Sequence, residues 1–145
     1  MANAASKWDS YKQTMIAQVN LWSAAKANDL IELTRLLDAG ADIDATDARG
    51  YSPLMLATYS GSAEAVELLL RRGADPNSRD AAGNSVLMGA AFKGQLELVK
   101  RLIDAGANPH ARNQAGLNAR NFAEQFGRAD VAHFLAGRGI ALPDQ

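Results

Sequence analysis

The sequence has no cysteine, which removes disulfide scaffolds, zinc ribbons, iron–sulfur centres and thiol nucleophiles together. That absence suits oxidising and reducing surroundings alike, so it leaves the compartment open. An excess of one charge is also missing: 15 Lys and Arg stand against 16 Asp and Glu, a formal net charge of -1. Neither nucleic acid nor an anionic membrane surface is therefore expected as a partner. Long apolar runs are lacking too. Gln13 to Ala25 carries no charge, but Gln13, Thr14, Gln18, Asn20 and Ser23 interrupt it, and a spanning helix needs about 20 predominantly apolar residues. No membrane insertion is expected. Met1 to Ser6 shows neither the basic start nor the apolar run of a secretory signal. Ala2-Asn3-Ala4 does have the small-x-small form of a cleavage site. The expected compartment is thus the cytoplasm, or the periplasm if a leader was removed before Ala2.

What remains is ordinary globular material: 145 residues, 48% hydrophobic and 21% charged, enough for one domain with a core. The glycines organise it. Gly40, Gly73, Gly106 and Gly139 are 33 residues apart, as are Gly50, Gly83 and Gly116, and Gly61, Gly94 and Gly127, so that ten of the 12 glycines fall in three columns. Leu21/Leu54/Leu87, Leu36/Leu69/Leu102/Leu135, Pro76/Pro109 and Asp47/Asp80/Asn113 keep the same register. A fixed period of this length means a solenoid of stacked units.

Within one period, Leu54 and Ala57, then Ala65, Val66, Leu68, Leu69 and Leu70, have helical spacing, with Gly61 between the groups. Two short helices and a tight turn are expected. Ser52-Pro53 reads as an N-cap followed by proline in the first turn, and Gly73 as the left-handed residue closing the second helix. Arg72 to Gly83 has turn composition and no helical period, and is expected to project as a hairpin-like loop. Ahead of the repeats, Trp8, Tyr11, Met15, Val19 and Trp22 follow i, i+3, i+4 spacing, and Ser6 with Asp9 forms a capping-box pattern. This predicts a helix from about Lys7 that runs into the first repeat helix, its apolar face covering the open end of the stack. The competing reading of residues 1–20 is a tail.

Gly50-Tyr51-Ser52-Pro53-Leu54-Met55-Leu56-Ala57 resembles the G-x-T-P-L-H-x-A motif of ankyrin repeats, and Leu68 to Asn77 resembles L-L-L-x-x-G-A-D-x-N. The unit from Asp80 to Arg112 keeps Gly83, Ser85, Leu87, Ala90 and Gly94 but departs at Val86 and Gly89. The last unit has Asn118-Ala119-Arg120 where Thr-Pro-Leu would stand. The resemblance implies an all-α ankyrin-repeat solenoid over residues 21–140, with units at about 21–46, 47–79, 80–112 and 113–140. Residues 1–20 precede it as capping helix or tail, and 141–145 follow as a C-terminal tail. Arg120 breaks the Leu21/Leu54/Leu87 column, as an end unit facing water requires.

Chemistry finds little to work with. His110 sits at a turn position and His133 on a predicted second helix, with no ligand spacing between them. Asp38, Asp42, Asp44 and Asp47 fail the calcium-loop pattern. Asp42/Asp75/Asn108 and Asp47/Asp80/Asn113 are repeat columns, expected to bond nearby backbone. Gly137-Arg138-Gly139 lacks the third glycine and the preceding strand of a dinucleotide loop. Glu67 with Arg71 and Glu97 with Arg101 have i, i+4 spacing on solvated helix surface. No catalytic residue, metal or cofactor is expected, and the chain is read as a non-enzyme.

A solenoid offers a concave face built from loop tips and first helices. The resemblance implies contact columns beside the loop glycine and at the end of the first helix. The residues there that suit a partner protein are Arg49, Tyr51, Tyr59, Asn84, Phe92, Lys93, Leu117 and Phe126. Tyr59 and Phe92 share one column in adjacent units and are the candidate anchors, since buried aromatics flanked by cations favour binding. Core packing between repeats is their competing role. Trp22, Met55 and Met88 occupy the family's histidine column and are expected to pack between units. Gly89, in a predicted helix, costs about 1 kcal/mol relative to Ala, and close approach of a neighbour is the expected reason. The resemblance thus implies a monomeric protein-binding module. An inhibitor or immunity-type protein masking a bacterial enzyme is a narrower alternative, and a small-ligand sensor a more distant one.

Overall fold

The computed structural model describes residues 4–143. Ala2-Asn3 and the last two positions of the expected tail lie outside them. Eight helices form four antiparallel pairs among the described residues: α1 (Ala4–Ala27) with α2 (Leu30–Asp38), α3 (Pro53–Tyr59) with α4 (Ala63–Arg71), α5 (Val86–Lys93) with α6 (Leu96–Asp104), and α7 (Ala119–Gln125) with α8 (Ala129–Gly137). First helices stack on first helices in the order α1, α3, α5, α7, and second helices line the other side. The chain is an all-α repeat solenoid.

Local chemistry sets each boundary. Ser52 and Ser85 accept the N–H of Met55 and Met88, each at 3.2 Å, and Pro53 opens α3 where its missing N–H is no loss. Asn118 does the same for Asn121 at 3.1 Å. The ten column glycines all have positive φ, between +69° and +102°. Gly50 shows why: a Cβ there would stand 2.8 Å from the Ala81 nitrogen of the next loop, whose N–H donates to the Arg49 carbonyl at 3.4 Å. Only a residue without a side chain lets consecutive loops nest this closely. In the first unit Asn28 takes the place of the Gly61 column, with φ +57°. It offsets the left-handed backbone with two bonds to the next unit, Oδ1 accepting from Ala65 N at 2.8 Å and Nδ2 donating to Glu64 at 2.9 Å.

The core is one ribbon running the length of the stack. Leu36, Leu69, Leu102 and Leu135 are buried at one level and Leu21, Leu54 and Leu87 at another, so each unit's apolar faces are covered only by its neighbours. Met55 and Met88 are buried as expected, and Trp22 is half-buried with Nε1 donating to the Ala45 carbonyl at 2.8 Å.

The acidic loop run is accounted for by backbone. Asp42, Asp75 and Asn108 accept the N–H two residues on. Asp47, Asp80 and Asn113 each accept two, from Arg49 and Tyr51, Ala82 and Asn84, and Ala115 and Leu117. A third column was not anticipated: Asp44 accepts the N–H of Asp75, and Asn77 that of Asn108, tying each loop to the next. Among the described residues the pattern stops at His110.

Three expectations need correction. Ser6 lies inside α1, not at its N-cap, because the helix begins at Ala4; alanine is the strongest helix former and carries the helix past it. The stripe does not cover the stack end: Trp8, Tyr11, Met15, Ile16 and Val19 are all about half exposed. The core-facing side of α1 is Ala17, Leu21, Ala24 and Ala25, and at 3.6 residues per turn the stripe points away from it. Arg101 does not pair with Glu97, which meets Lys100 at 3.6 Å; it reaches back to Glu67 of the preceding unit through Nε and Nη2. Glu67 also keeps the expected partner Arg71, at 3.9 Å.

Candidate functional site

The repeat register brings the ends of α3, α5 and α7 together beneath the loops. There Tyr51, Tyr59, Asp80, Asn84, Met88, Gly89, Phe92, Lys93 and Phe122 line a groove of about 280 Å³. Five of the eight residues singled out from sequence are among them. Arg49 stands at the rim, its guanidinium 4.5 Å from the Tyr51 ring centre and 3.5 Å from Asp47. Phe126 closes the other end against Phe92. Leu117 is half-buried in its loop, its carbonyl accepting the Asn113 N–H and its own N–H donating to Asn113 Oδ1, and is not among the residues that line the groove.

Tyr59 and Phe92 both face this groove, but their rings do not pair with each other. Tyr59 meets Tyr51 edge-on, centroids 5.5 Å apart at 86°. Phe92 meets Phe126 at 4.6 Å and 78°, and Phe126 lies parallel to Phe122 at 6.5 Å. Two T-shaped pairs, each a favourable quadrupole arrangement, form the walls. The two candidate anchors also differ in burial. Phe92 is 38% exposed, whereas Tyr59 is deeper because α5 gives way beneath it: a Cβ on Gly89 would stand 1.8 Å from Tyr59 Cε1. This accounts for the glycine in α5.

Burial raises the Tyr59 phenol well above the ordinary tyrosine range, with the nearby Asp80 carboxylate and Tyr51 adding to it. Tyr59 is neutral at physiological pH and its hydroxyl is a donor. Asn84 is already committed: Nδ2 donates to Asp80 at 3.1 Å and Oδ1 accepts from Asn113 at 2.8 Å. Asp80 is occupied by the Ala82 and Asn84 amides. Lys93 is exposed and forms no ion pair among the described residues. The groove is therefore aromatic in its walls, with Asp80 and Asn84 hydrogen-bonded to each other and to the loops in its floor and an exposed cation at its edge.

Met88, Gly89, Asp80 and Phe122 were missed as lining residues. Gly89 carried a signal, a glycine inside a predicted helix, whereas Phe122 stands in the same column, which changes at every unit from Ser23 through Leu56 and Gly89, and carried none. Asp80 carried none beyond its turn role. Among the described residues no three His, Asp or Glu side chains gather as metal ligands do, and His110 and His133 are exposed at separate places.

Paired short helices, nested loops and an open groove beneath them define a repeat scaffold, and the comparisons with known proteins agree. A family model described as ankyrin repeats (3 copies) matches residues 21–113 and, overlapping, 68–144. The chain belongs to the ankyrin-repeat family. Over 60 residues it is 43% identical to the zebrafish (Danio rerio) protein named ankyrin repeat domain-containing protein 29. That stretch is 41% of this chain and 20% of the relative, so the chain spans about a fifth of that protein's length. Ankyrin repeats are in general protein–protein interaction modules without catalysis.

Proposed function

We propose that this chain is a non-catalytic binding module that holds a partner protein on the concave face, at the groove between the Tyr51–Tyr59 and Phe92–Phe126 pairs. The repeat body is taken as residues 21–140. The observation that carries this reading is the continuity of aromatic surface across adjacent units, with Lys93 unpaired at its edge. Aromatic side chains held rigid by edge contacts lose little entropy on binding, which favours them as anchors. An acidic or carbonyl-bearing group beside an apolar side chain complements Lys93 and the walls.

The test uses Phe92→Ala/Lys93→Glu, two exposed positions whose loss leaves the core intact. Wild type and variant are used as affinity baits in lysate of the source cells. A protein retained by wild type and lost by the variant, at matched thermal midpoints, supports the groove and names the partner. If that partner is an enzyme, adding the purified chain to its assay separates an inhibitor from a scaffold. Partners retained equally by both baits would sink the groove as the binding site.

A further inference from the structure

In the N-terminal arm of α1 every residue from 6 to 16 is exposed; Ala17 is the first of the helix to pack against the buried core, and Gln18 donates to the Asp42 carbonyl at 3.1 Å. A helical stretch of this length is marginal in water without packing. Yet its outer face carries Trp8, Tyr11, Met15, Ile16 and Val19, each between 48% and 58% exposed, with Trp8 and Tyr11 already stacked at 5.5 Å. Single chains rarely leave so contiguous an apolar face open.

We propose that this face is a self-association surface: two copies pair their α1 arms antiparallel about a two-fold axis, giving a homodimer with the concave grooves free. Three observations select a second copy. With Trp8 and Tyr11 at about 150–250 Å² each and the three aliphatic side chains somewhat smaller, all about half exposed, roughly 500 Å² is open per chain, so full pairing buries about 1,000 Å², the threshold a biological interface should clear. The charges of the arm, Lys7, Asp9 and Lys12, all lie in its first half, and Asp9 and Lys12 neutralise each other at 3.2 Å. Residues 13–20 carry none. Antiparallel pairing lays each charged half on an uncharged one, whereas parallel pairing opposes Lys7 to Lys7 and Lys12 to Lys12. The stripe is also complementary to itself when reversed, since large Trp8 then meets small Val19 and Tyr11 meets Ile16. Such an isologous contact closes at two copies. Ile140 and Ala141 are held at the other end of the stack, their carbonyls bonded to Arg120 and Asn118.

Sedimentation equilibrium of the full chain from micromolar to millimolar concentration reads the proposal directly. A monomer–dimer equilibrium is expected, shifted at least tenfold toward monomer by Tyr11→Glu/Met15→Glu with the thermal midpoint of the repeats unchanged. The absence of native cysteine allows a second reading of orientation. In Trp8→Cys/Val19→Cys, the two positions of one helix are about 16 Å apart, too far for a bond within a chain. Mild oxidation is expected to give a covalent dimer, and Trp8→Cys alone none. A monomer at every concentration, a dimer indifferent to the glutamates, or efficient cross-linking by Trp8→Cys alone would each overturn it.

Discussion

The ring of Tyr59 rests on the backbone of Gly89, occupying the space where any side chain at position 89 would begin. The pair joins stability to the candidate site, because the glycine that weakens α5 is the one that seats an aromatic wall of the groove. Gly89→Ala is expected to gain about 1 kcal/mol of helix propensity. It loses more by expelling the ring from its seat and from its edge contact with Tyr51, a contact alone of about 0.5–1.5 kcal/mol. In a Tyr59→Ala background the same substitution should become stabilising by about 1 kcal/mol. A double-mutant cycle by urea denaturation checks this change of sign; additive effects would mean the contact carries no energy.

Glu67 links two units through Arg101, and the hydrogen bonds from that guanidinium hold its carboxyl below the usual range. Its folded value is thus lower than the roughly 4.3 of an unfolded glutamate. The stabilisation is complete above that pH and is lost as pH falls through the folded value. Both side chains are more than a third exposed, so solvent screening limits it to below about 1 kcal/mol. Wild type should lose its small margin over Glu67→Gln between about pH 5 and pH 3, measured as thermal midpoint against pH. A margin that persists at low pH would show that the pair stabilises by packing and not by charge.

Asp80 satisfies two amides with one oxygen and holds Asn84 with the other. Asp80→Ala should cost about 1–3 kcal/mol by stranding these donors and should loosen the floor of the groove. Asp80→Asn should cost less, because it keeps both amide bonds, as Asn113 does one unit later, and loses only the acceptor for Asn84 Nδ2. Urea midpoints of the two variants decide it; equal losses would point to the carboxylate charge and not to the bonding pattern.

Arg120 stands where a leucine fits the column, and uses the position to hold the end of the chain, Nη1 donating to the Ile140 carbonyl at 2.9 Å with Nε 3.4 Å from Glu124. Arg120→Leu is expected to leave the thermal midpoint within a few degrees, since it fills an apolar column. It should nonetheless speed amide exchange at Ile140 about tenfold, because a charge-assisted bond of about 1.5–3 kcal/mol is lost. Unchanged exchange would show that Ile140, which is itself buried, anchors the end alone.

The repeat was legible because its signals are local. Gly50, Ser52, Pro53 and Gly73 each answer to backbone conformation or capping within a few residues, and a 33-residue register then copies the answer along the chain. The convergence of Tyr51, Tyr59, Asn84, Phe92 and Lys93 followed from that same register. What the register could not give was direction. Arg101 has Glu97 one turn away and Glu67 one unit away, and only stacking decides that it takes the second. Tyr59 and Phe92 share a column yet differ in depth, because the backbone of Gly89 yields to one ring while Phe126 meets the other. The helical spacing of Trp8, Tyr11, Met15 and Val19 correctly marked a helix and an apolar face. Which way that face points depends on how Ala17, Leu21, Ala24 and Ala25 dock against the repeats. Backbone chemistry is short-ranged and written residue by residue, so sequence alone determined the units and their number. The partner each exposed side chain meets is fixed only when those units pack, and tertiary structure alone decided it.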